Sequence, residues 1–76
     1  MSCQVGITTN PFHRHQEWKR IHPSLRNWKI LYQTSSRKDA QFKEAIYAIE
    51  LRCKNKAGGQ GNENDQWYVY YFEFDS

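Results

Sequence analysis

A single arginine between two histidines is the first group in the sequence that could do chemistry. His13, Arg14 and His15 follow one another. An arginine guanidinium can hold a phosphate with two parallel N–H donors, which a lysine ammonium cannot do. A histidine can take up and release a proton near neutral pH. The histidines are two positions apart, so on a helix they cannot both share a face with Arg14. The alternative is that all three are ordinary solvated helix residues.

Further basic and aromatic residues follow this cluster. Lys19, Arg20 and Arg26 could contact phosphates, and Trp18 or Trp28 could stack on bases. Packing in the core is the other interpretation of the tryptophans, and we favour it for Trp28. The net charge of +3, from 11 Lys and Arg against 8 Asp and Glu, is compatible with nucleic acid as partner. Such a charge is also common in domains with other partners, so it does not decide the function.

The cysteines and the termini bear on the class of protein. Cys3 and Cys53 are too few for a disulfide-rich fold, and the paired spacings of a zinc site are absent. We therefore expect reduced thiols in a cytoplasmic protein. The opening residues MSCQVGITT lack the pattern of a secretion signal, and the sequence has no apolar run of roughly 18 residues that could span a membrane.

The length predicts one domain over residues 1–76, which can bury only a small core. A homodimer would be a second source of stability. Within this domain we expect the element order β-α-β-α-β. Strands are expected at residues 3–8, 27–33 and 66–74, helices at residues 11–21 and 37–54, and a mobile glycine-rich connection at residues 57–65.

Local signals support the two helices. Asn10 followed by Pro11 is typical of a helix start, and Ser36 with Asp39 resembles a capping box. In the second helix, apolar residues recur at helical spacing and predict the buried stripe Phe42, Ile46, Ile49 and Cys53. The first helix has a sparser candidate stripe, formed by Phe12, Trp18 and Ile21.

Alternation of side chains predicts the faces of the strands. Trp28, Ile30 and Tyr32 should share one face of the middle strand. The last strand is largely apolar on both faces, which is typical of a central or covered strand. In the first strand, Gly6 marks a position where a side chain would be in the way.

One segment resembles part of a known nuclease signature. Residues 4–14 (QVGITTNPFHR) are similar to the second half of the GIY-YIG signature, in which a strand ending in Tyr-Ile/Val-Gly leads into a helix. In that family an arginine stands eight residues after the glycine, and here that position is Arg14. The family's second helix carries a glutamate after an alanine-rich segment, which Ala40 to Glu44 (AQFKE) resembles.

The first half of the signature does not precede Gln4, but residues 67–74 (WYVYYFEF) resemble it. We therefore interpret the chain as a circularly permuted GIY-YIG-like domain. The resemblance implies an α/β (α+β) fold with a small three-stranded, mainly antiparallel sheet flanked by helices. The C-terminal strand should lie beside the N-terminal one.

The resemblance also implies roles for individual residues. Arg14 would hold phosphate, Tyr70 would bind phosphate or the attacking water, and Glu44 would hold Mg²⁺ or Mn²⁺. Two departures weaken this site, because Gln4 replaces the second signature tyrosine and Trp18 replaces a histidine or tyrosine. His13 or His15 could substitute for the lost proton-transfer group.

Three functions are compatible with these residues. The first is a metal-dependent DNA or RNA endonuclease with a degraded active site. The second is a catalytically inactive domain that binds nucleic acid with the same basic cleft. The third is a protein-interaction module built on the same fold.

Overall fold

The sheet of this protein contains one strand more than the sequence predicts. The computed structural model describes residues 2–55 and 61–75, and in that part of the chain it has four strands and two helices. The elements are β1 (Ser2–Thr8), α1 (Pro11–Ile21), β2 (Arg26–Thr34), α2 (Arg37–Leu51), β3 (Lys54–Asn55) and β4 (Trp67–Phe74). The sheet order is β2-β4-β1-β3, with β3 parallel to β1 and the other pairs antiparallel. The α+β architecture is confirmed, and the short β3 corrects the expected three strands.

The central strand of the sheet is β4, which pairs with β1 on one side and β2 on the other. Its register with β1 runs from Ser2 opposite Phe74 to Thr8 opposite Tyr68. The C-terminal strand therefore lies beside the N-terminal one, as predicted. Apolar side chains on both faces of β4 explain this central position, because each face is covered by a helix.

Each face of the sheet carries its own core. On one face α2 covers a cluster of aliphatic and aromatic residues, namely Val5, Ile7, Ala40, Ala48, Trp67 and Val69. The opposite face carries an aromatic cluster against α1 and the segment that follows it, namely Tyr70, Phe72, Phe74, Trp18, Leu25 and Trp28. Alternation along β4 places Val69 and Tyr70 on opposite sides, so the molecule has three layers with the sheet in the middle.

Both helices begin where the sequence predicts. The side chain of Asn10 accepts a hydrogen bond from the backbone N–H of His13 at 3.1 Å, and Pro11 is the first helical residue. The hydroxyl of Ser36 accepts from the N–H of Asp39 at 3.2 Å. The Asp39 carboxylate accepts instead from the hydroxyl of Tyr32 at 2.6 Å, so this N-cap bonds differently from a full capping box.

The buried face of α2 is largely the reverse of the one predicted, although Cys53 of the predicted stripe packs against the core after the helix ends. Its buried residues are Ala40, Glu44 and Ala48, whereas Phe42 is 63% exposed and Ile49 is 77% exposed. The sheet contributes large side chains such as Trp67 to this layer, so small helix residues fit against it. The apolar periodicity therefore marks the outer face of α2.

The predicted stripe of α1 is also only partly buried. Trp18 packs against the aromatic cluster, while Phe12 and Ile21 are exposed. Helix α1 therefore contacts the sheet mainly through the indole ring of Trp18 and through His15, which stacks on Trp28.

In β2 the predicted sharing of one face by Trp28, Ile30 and Tyr32 is wrong. Trp28 packs in the aromatic cluster, whereas Leu31 and Tyr32 both pack against the core under α2. The register with β4 shifts between Ile30 and Tyr32, which is the mark of a β-bulge. A bulge adds a residue and reverses the alternation beyond it.

The end of α2 corrects the expectation of reduced cysteines. The helix stops at Leu51 rather than near residue 54, because Arg52 adopts a left-handed conformation with φ of 56°. Cys53 then bonds to Cys3 of β1 as a disulfide. The cysteine argument for a cytoplasmic protein no longer applies, and the two sulfurs do not serve a zinc site.

Part of the predicted glycine-rich connection, residues 57–60, lies outside the described residues. The described segment after it is held to the start of α2 by Glu63. The carboxylate of Glu63 accepts from the N–H of Lys38 and the hydroxyl of Ser36, both at 3.2 Å. A negative charge there also suits the positive end of the helix dipole. In the described ranges, neither helix is long and apolar enough to cross a membrane.

Candidate functional site

Tyr70 is the central side chain of the candidate site. It lies opposite Gly6 in the β1–β4 pair, and its ring crosses directly over that glycine. A Cβ atom on Gly6 would lie 2.2 Å from the Tyr70 hydroxyl oxygen, so the ring can occupy this place only because residue 6 has no side chain. This confirms the prediction made for Gly6.

The hydroxyl of Tyr70 accepts a hydrogen bond from the indole N–H of Trp18 at 2.8 Å. Burial raises the pKa of Tyr70, and the nearby charges of Glu44 and Glu17 add to the rise. The hydrogen bond from Trp18 and the positive charge of Arg14 offset part of it. The phenol is therefore protonated at neutral pH and still has its own proton to donate. In this state it is a hydrogen-bond donor and not a base.

Arg14 lies one helical turn before Trp18 on α1 and lines an open cleft. Tyr70 is buried and does not line this cleft, but the charge of Arg14 acts on it. The cleft has a volume of about 420 Å³ and is lined by Thr8, Thr9, Asn10, His13, Arg14 and Glu17. It lies at the C-terminal end of β1, where the chain enters the N-terminus of α1. Arg14 and the helix terminus both favour an anion in this place.

Glu17 is a cleft residue that the sequence analysis did not identify. One of its carboxylate oxygens lies 3.5 Å from Nε of Arg14, and the other lies 3.5 Å from Nε2 of His13. The signal was present in the sequence, because Glu17 follows these residues by three and four positions and such pairs meet on a helix. The carboxylate partly neutralises the guanidinium that we expect to hold phosphate.

The two histidines beside Arg14 lie in different places. His13 lines the cleft with Arg14, whereas His15 stacks on Trp28 with ring centroids 4.3 Å apart. Burial, followed by the nearby charge of Lys19, lowers the pKa of His15. Of the two candidates for a substitute base, His13 is the one in the cleft.

Trp28 is not available for stacking on a base. His15 covers one side of its ring, and Tyr70 stacks at 4.9 Å between centroids. The expectation that Trp28 packs in the core is confirmed. Trp18 is similarly engaged, since it packs against Phe72 and donates to Tyr70.

The predicted phosphate-binding cations differ in their surroundings. Lys19 and Arg20 are exposed in the last turn of α1. Arg26 is held by a salt bridge of 3.0 Å to Asp75 and donates to the backbone oxygen of Ser24. A phosphate would have to compete with Asp75 for Arg26, whereas Lys19 and Arg20 are accessible.

Glu44 lies on the other side of the sheet from Arg14. It shares the buried face of α2 with Ala40 and Ala48, and its carboxyl group is hydrogen-bonded to the side chain of Asn55. Glu44 is 4% exposed, and among the described residues its Oε2 atom has no hydrogen-bond partner. Burial raises the pKa of this carboxyl.

These surroundings decide whether a metal ion fits beside Arg14. An orphaned carboxylate oxygen suits either a cation or a proton, and the raised pKa of Glu44 favours the proton. Over residues 2–55 and 61–75, no three His, Cys, Asp or Glu side chains are grouped to hold a metal. Mg²⁺ at Glu44 alone, with water as its other ligands, stays a prediction.

The last departure from the signature, Gln4, is buried on the Tyr70 face of β1. Its side-chain N–H donates to the backbone oxygen of Val5 at 3.4 Å. An amide there cannot exchange a proton near neutral pH. The structure thus places Arg14 and His13 in one cleft and joins Trp18 to Tyr70. Glu44 lies on the opposite face of the sheet, although its charge still acts on Tyr70. The chain matches no model of a known protein family, no curated protein and no solved structure.

Proposed function

We propose that this chain is a GIY-YIG-like domain that binds nucleic acid through its phosphates and has little or no hydrolytic activity. The observation that carries the proposal is the hydrogen bond from Trp18 to Tyr70 one helical turn from Arg14. At the position where the family has a histidine or tyrosine, this chain has an indole, which donates a proton in hydrogen bonds but never takes one up.

The groups that surround this hydrogen bond form a set of donors. Arg14 supplies N–H donors to the cleft, and the hydroxyl of Tyr70 is a buried donor close enough for the charge of Arg14 to act on it. A phosphate oxygen is an acceptor with negative charge, so this donor set suits it. The exposed Lys19 and Arg20 at the other end of α1 extend the positive surface for a backbone longer than one phosphate.

Glu17 competes with a bound phosphate for Arg14. Its carboxylate lies 3.5 Å from Nε of Arg14, so an incoming phosphate must compete with it for the guanidinium. Two of the three guanidinium nitrogens are not used in that contact and can turn toward a ligand. We therefore expect modest affinity that falls steeply with salt, as is usual for phosphate contacts.

The test is fluorescence anisotropy with labelled single-stranded DNA, double-stranded DNA and single-stranded RNA at several salt concentrations. Arg14→Ala should weaken binding to every probe and reduce the slope of log affinity against log salt by roughly 0.7–0.9. Arg14→Lys should recover the salt slope but not the full affinity. Lys38→Ala removes an equal charge from α2 on the other face and should leave binding unchanged. Equal binding by the wild-type protein and Arg14→Ala would overturn the proposal.

A second candidate function is slow metal-dependent hydrolysis of the same phosphodiesters. One observation favours it, namely the pairing of His13 with Glu17 in the cleft. Each lost acid–base group typically costs about 10²–10⁴ in rate, so the activity would be weak. Incubation with plasmid and single-stranded substrates in Mg²⁺, Mn²⁺ or EDTA decides between the two. Cleavage that EDTA and Glu44→Ala both abolish would support the enzyme.

A further inference from the structure

The outer face of α2 is apolar and faces away from the sheet. Phe42, Ile46 and Ile49 follow one another at spacings of four and three residues, so they form one stripe on the helix. Ile46 is two positions after the buried Glu44, which places it about 200° around the helix. Phe42 is 63% and Ile49 77% exposed, and Ile46 between them is half-buried. A helix that exposes its large apolar residues and buries alanines is typical of one that packs against another surface.

The charges beside this stripe are complementary to those of a second copy of the helix in the antiparallel direction. Lys43 and Glu50 are seven residues apart, so they lie on the same flank of the stripe. When two such helices pair antiparallel, this flank of one meets the same flank of the other. Each Lys43 then faces the Glu50 of the other copy, and the contact forms twice. In a parallel pair this flank would instead meet the opposite flank of the other copy, so neither Lys43–Glu50 contact would form.

We propose that the outer face of α2, defined by Phe42, Ile46 and Ile49, is the interface of a homodimer in which two α2 helices pack antiparallel. This proposal is independent of the proposed nucleic-acid binding, since the cleft lies on the other side of the sheet. The two-fold symmetric arrangement is the commonest for homodimers, and it makes each side of the interface identical.

The size of the face limits the strength of the dimer. A stable interface buries on the order of 800 Å² on each partner, and one stripe of three side chains with its flanks covers less. The ammonium of Lys43 also lies 5.1 Å from the centre of the Tyr32 ring, a weak contact that the other copy's carboxylate must replace. We therefore expect a reversible dimer that is observed at high protein concentration.

The test begins with sedimentation equilibrium of the full chain from about 5 to 500 μM. The wild-type protein should shift from monomer to dimer over this range. Ile49→Ser should raise the dissociation constant by roughly tenfold or more. The matched control is Ile21→Ser, because Ile21 is 64% exposed but lies on α1, and it should leave the dissociation constant within about twofold. A protein that is monomeric at every concentration would overturn the proposal and leave the face to a different partner.

A charge-exchange experiment tests the antiparallel arrangement. K43E alone places like charges at both contacts of a homodimer, and so does E50K alone, so each variant should be monomeric. A mixture of the two variants places opposite charges at both contacts and should dimerise. Circular dichroism confirms that each variant is folded. A mixture that remains monomeric while the wild-type protein dimerises would show that α2 does not pair antiparallel through this face.

Discussion

The indole N–H of Trp18 donates a hydrogen bond of 2.8 Å to the hydroxyl oxygen of Tyr70, across 52 positions in the chain. This contact joins α1 to the central strand of the sheet and fixes the helix that carries Arg14. It also occupies one acceptor site of the phenol oxygen, so the phenol proton is not used in this bond. The same hydrogen bond thus helps to hold the fold together and determines which groups of the candidate site donate and which accept.

The first prediction concerns the strength of this bond. Trp18→Phe and Tyr70→Phe should each lower the free energy of unfolding, because each leaves one partly buried polar group unpaired. The double variant should be less destabilised than the sum of the single variants, by about 1 kcal/mol. Urea unfolding followed by circular dichroism measures all four proteins. A parallel cycle with Trp28→Phe is the control, because Trp28 stacks on Tyr70 without bonding to its hydroxyl, and its coupling should be near zero.

The second prediction concerns the contact between Gly6 and Tyr70. Gly6→Ala should destabilise the protein by roughly 1–3 kcal/mol, because the new methyl group would lie 2.2 Å from the hydroxyl oxygen and 2.4 Å from Cζ of Tyr70. Thermal unfolding measures the loss. If the ring is the cause, the same substitution should cost much less in a Tyr70→Val background. An equal cost in both backgrounds would show that the strand itself does not tolerate a side chain at residue 6.

The sequence predicts those parts of the fold that depend on neighbours in the chain. Asn10 with Pro11 marks a helix start wherever it occurs, because the cap bonds only to the next turn. The apolar faces of β4 predict a central strand for a similar reason, since both faces need cover. The pairing of β4 with β1 joins distant segments, and it was predicted from a resemblance rather than from local signals.

Other features could not be predicted because they depend on the opposing surface. The periodicity of α2 correctly identifies a helix, but it does not say that the small residues Ala40 and Ala48 will face Trp67. The bulge near Ile30 depends on its pairing with β4. Likewise, the separation of Glu44 from Arg14 depends on which side of the sheet each helix covers.

The third prediction concerns the disulfide between Cys3 and Cys53, which are 50 positions apart. Closing a loop of this size restricts the unfolded chain, so reduction should lower the free energy of unfolding by roughly 2–4 kcal/mol. Guanidinium unfolding with and without dithiothreitol gives the difference. The Cys3→Ser, Cys53→Ser double variant should match the reduced protein and should not respond to dithiothreitol. If reduced and oxidised wild-type proteins unfold at the same denaturant concentration, the bond contributes nothing to stability.

The fourth prediction uses the buried carboxyl of Glu44, whose pKa is raised by burial. A raised folded-state pKa means that the protonated form favours folding. This contribution is fully present below the unfolded pKa of 4.5 and is lost as the pH rises through the higher pKa of the folded state. Glu44→Gln has nearly the shape of the protonated carboxyl and carries no charge at any pH. Its stability should therefore equal that of the wild-type protein near pH 4 and exceed it at pH 7.

Urea unfolding between pH 4 and pH 8 measures this difference, with the exposed Glu50→Gln on the same helix as control at low protein concentration. The control should change stability little and should show no such rise with pH. The same variants test the predicted metal ion. If Mg²⁺ binds at Glu44, adding it at pH 7 should stabilise the wild-type protein and not Glu44→Gln, because a ligand bound only by the folded state adds to its stability. A Glu44→Gln variant that is less stable at pH 7 would mean that the ionised carboxylate already has a favourable partner in the folded protein.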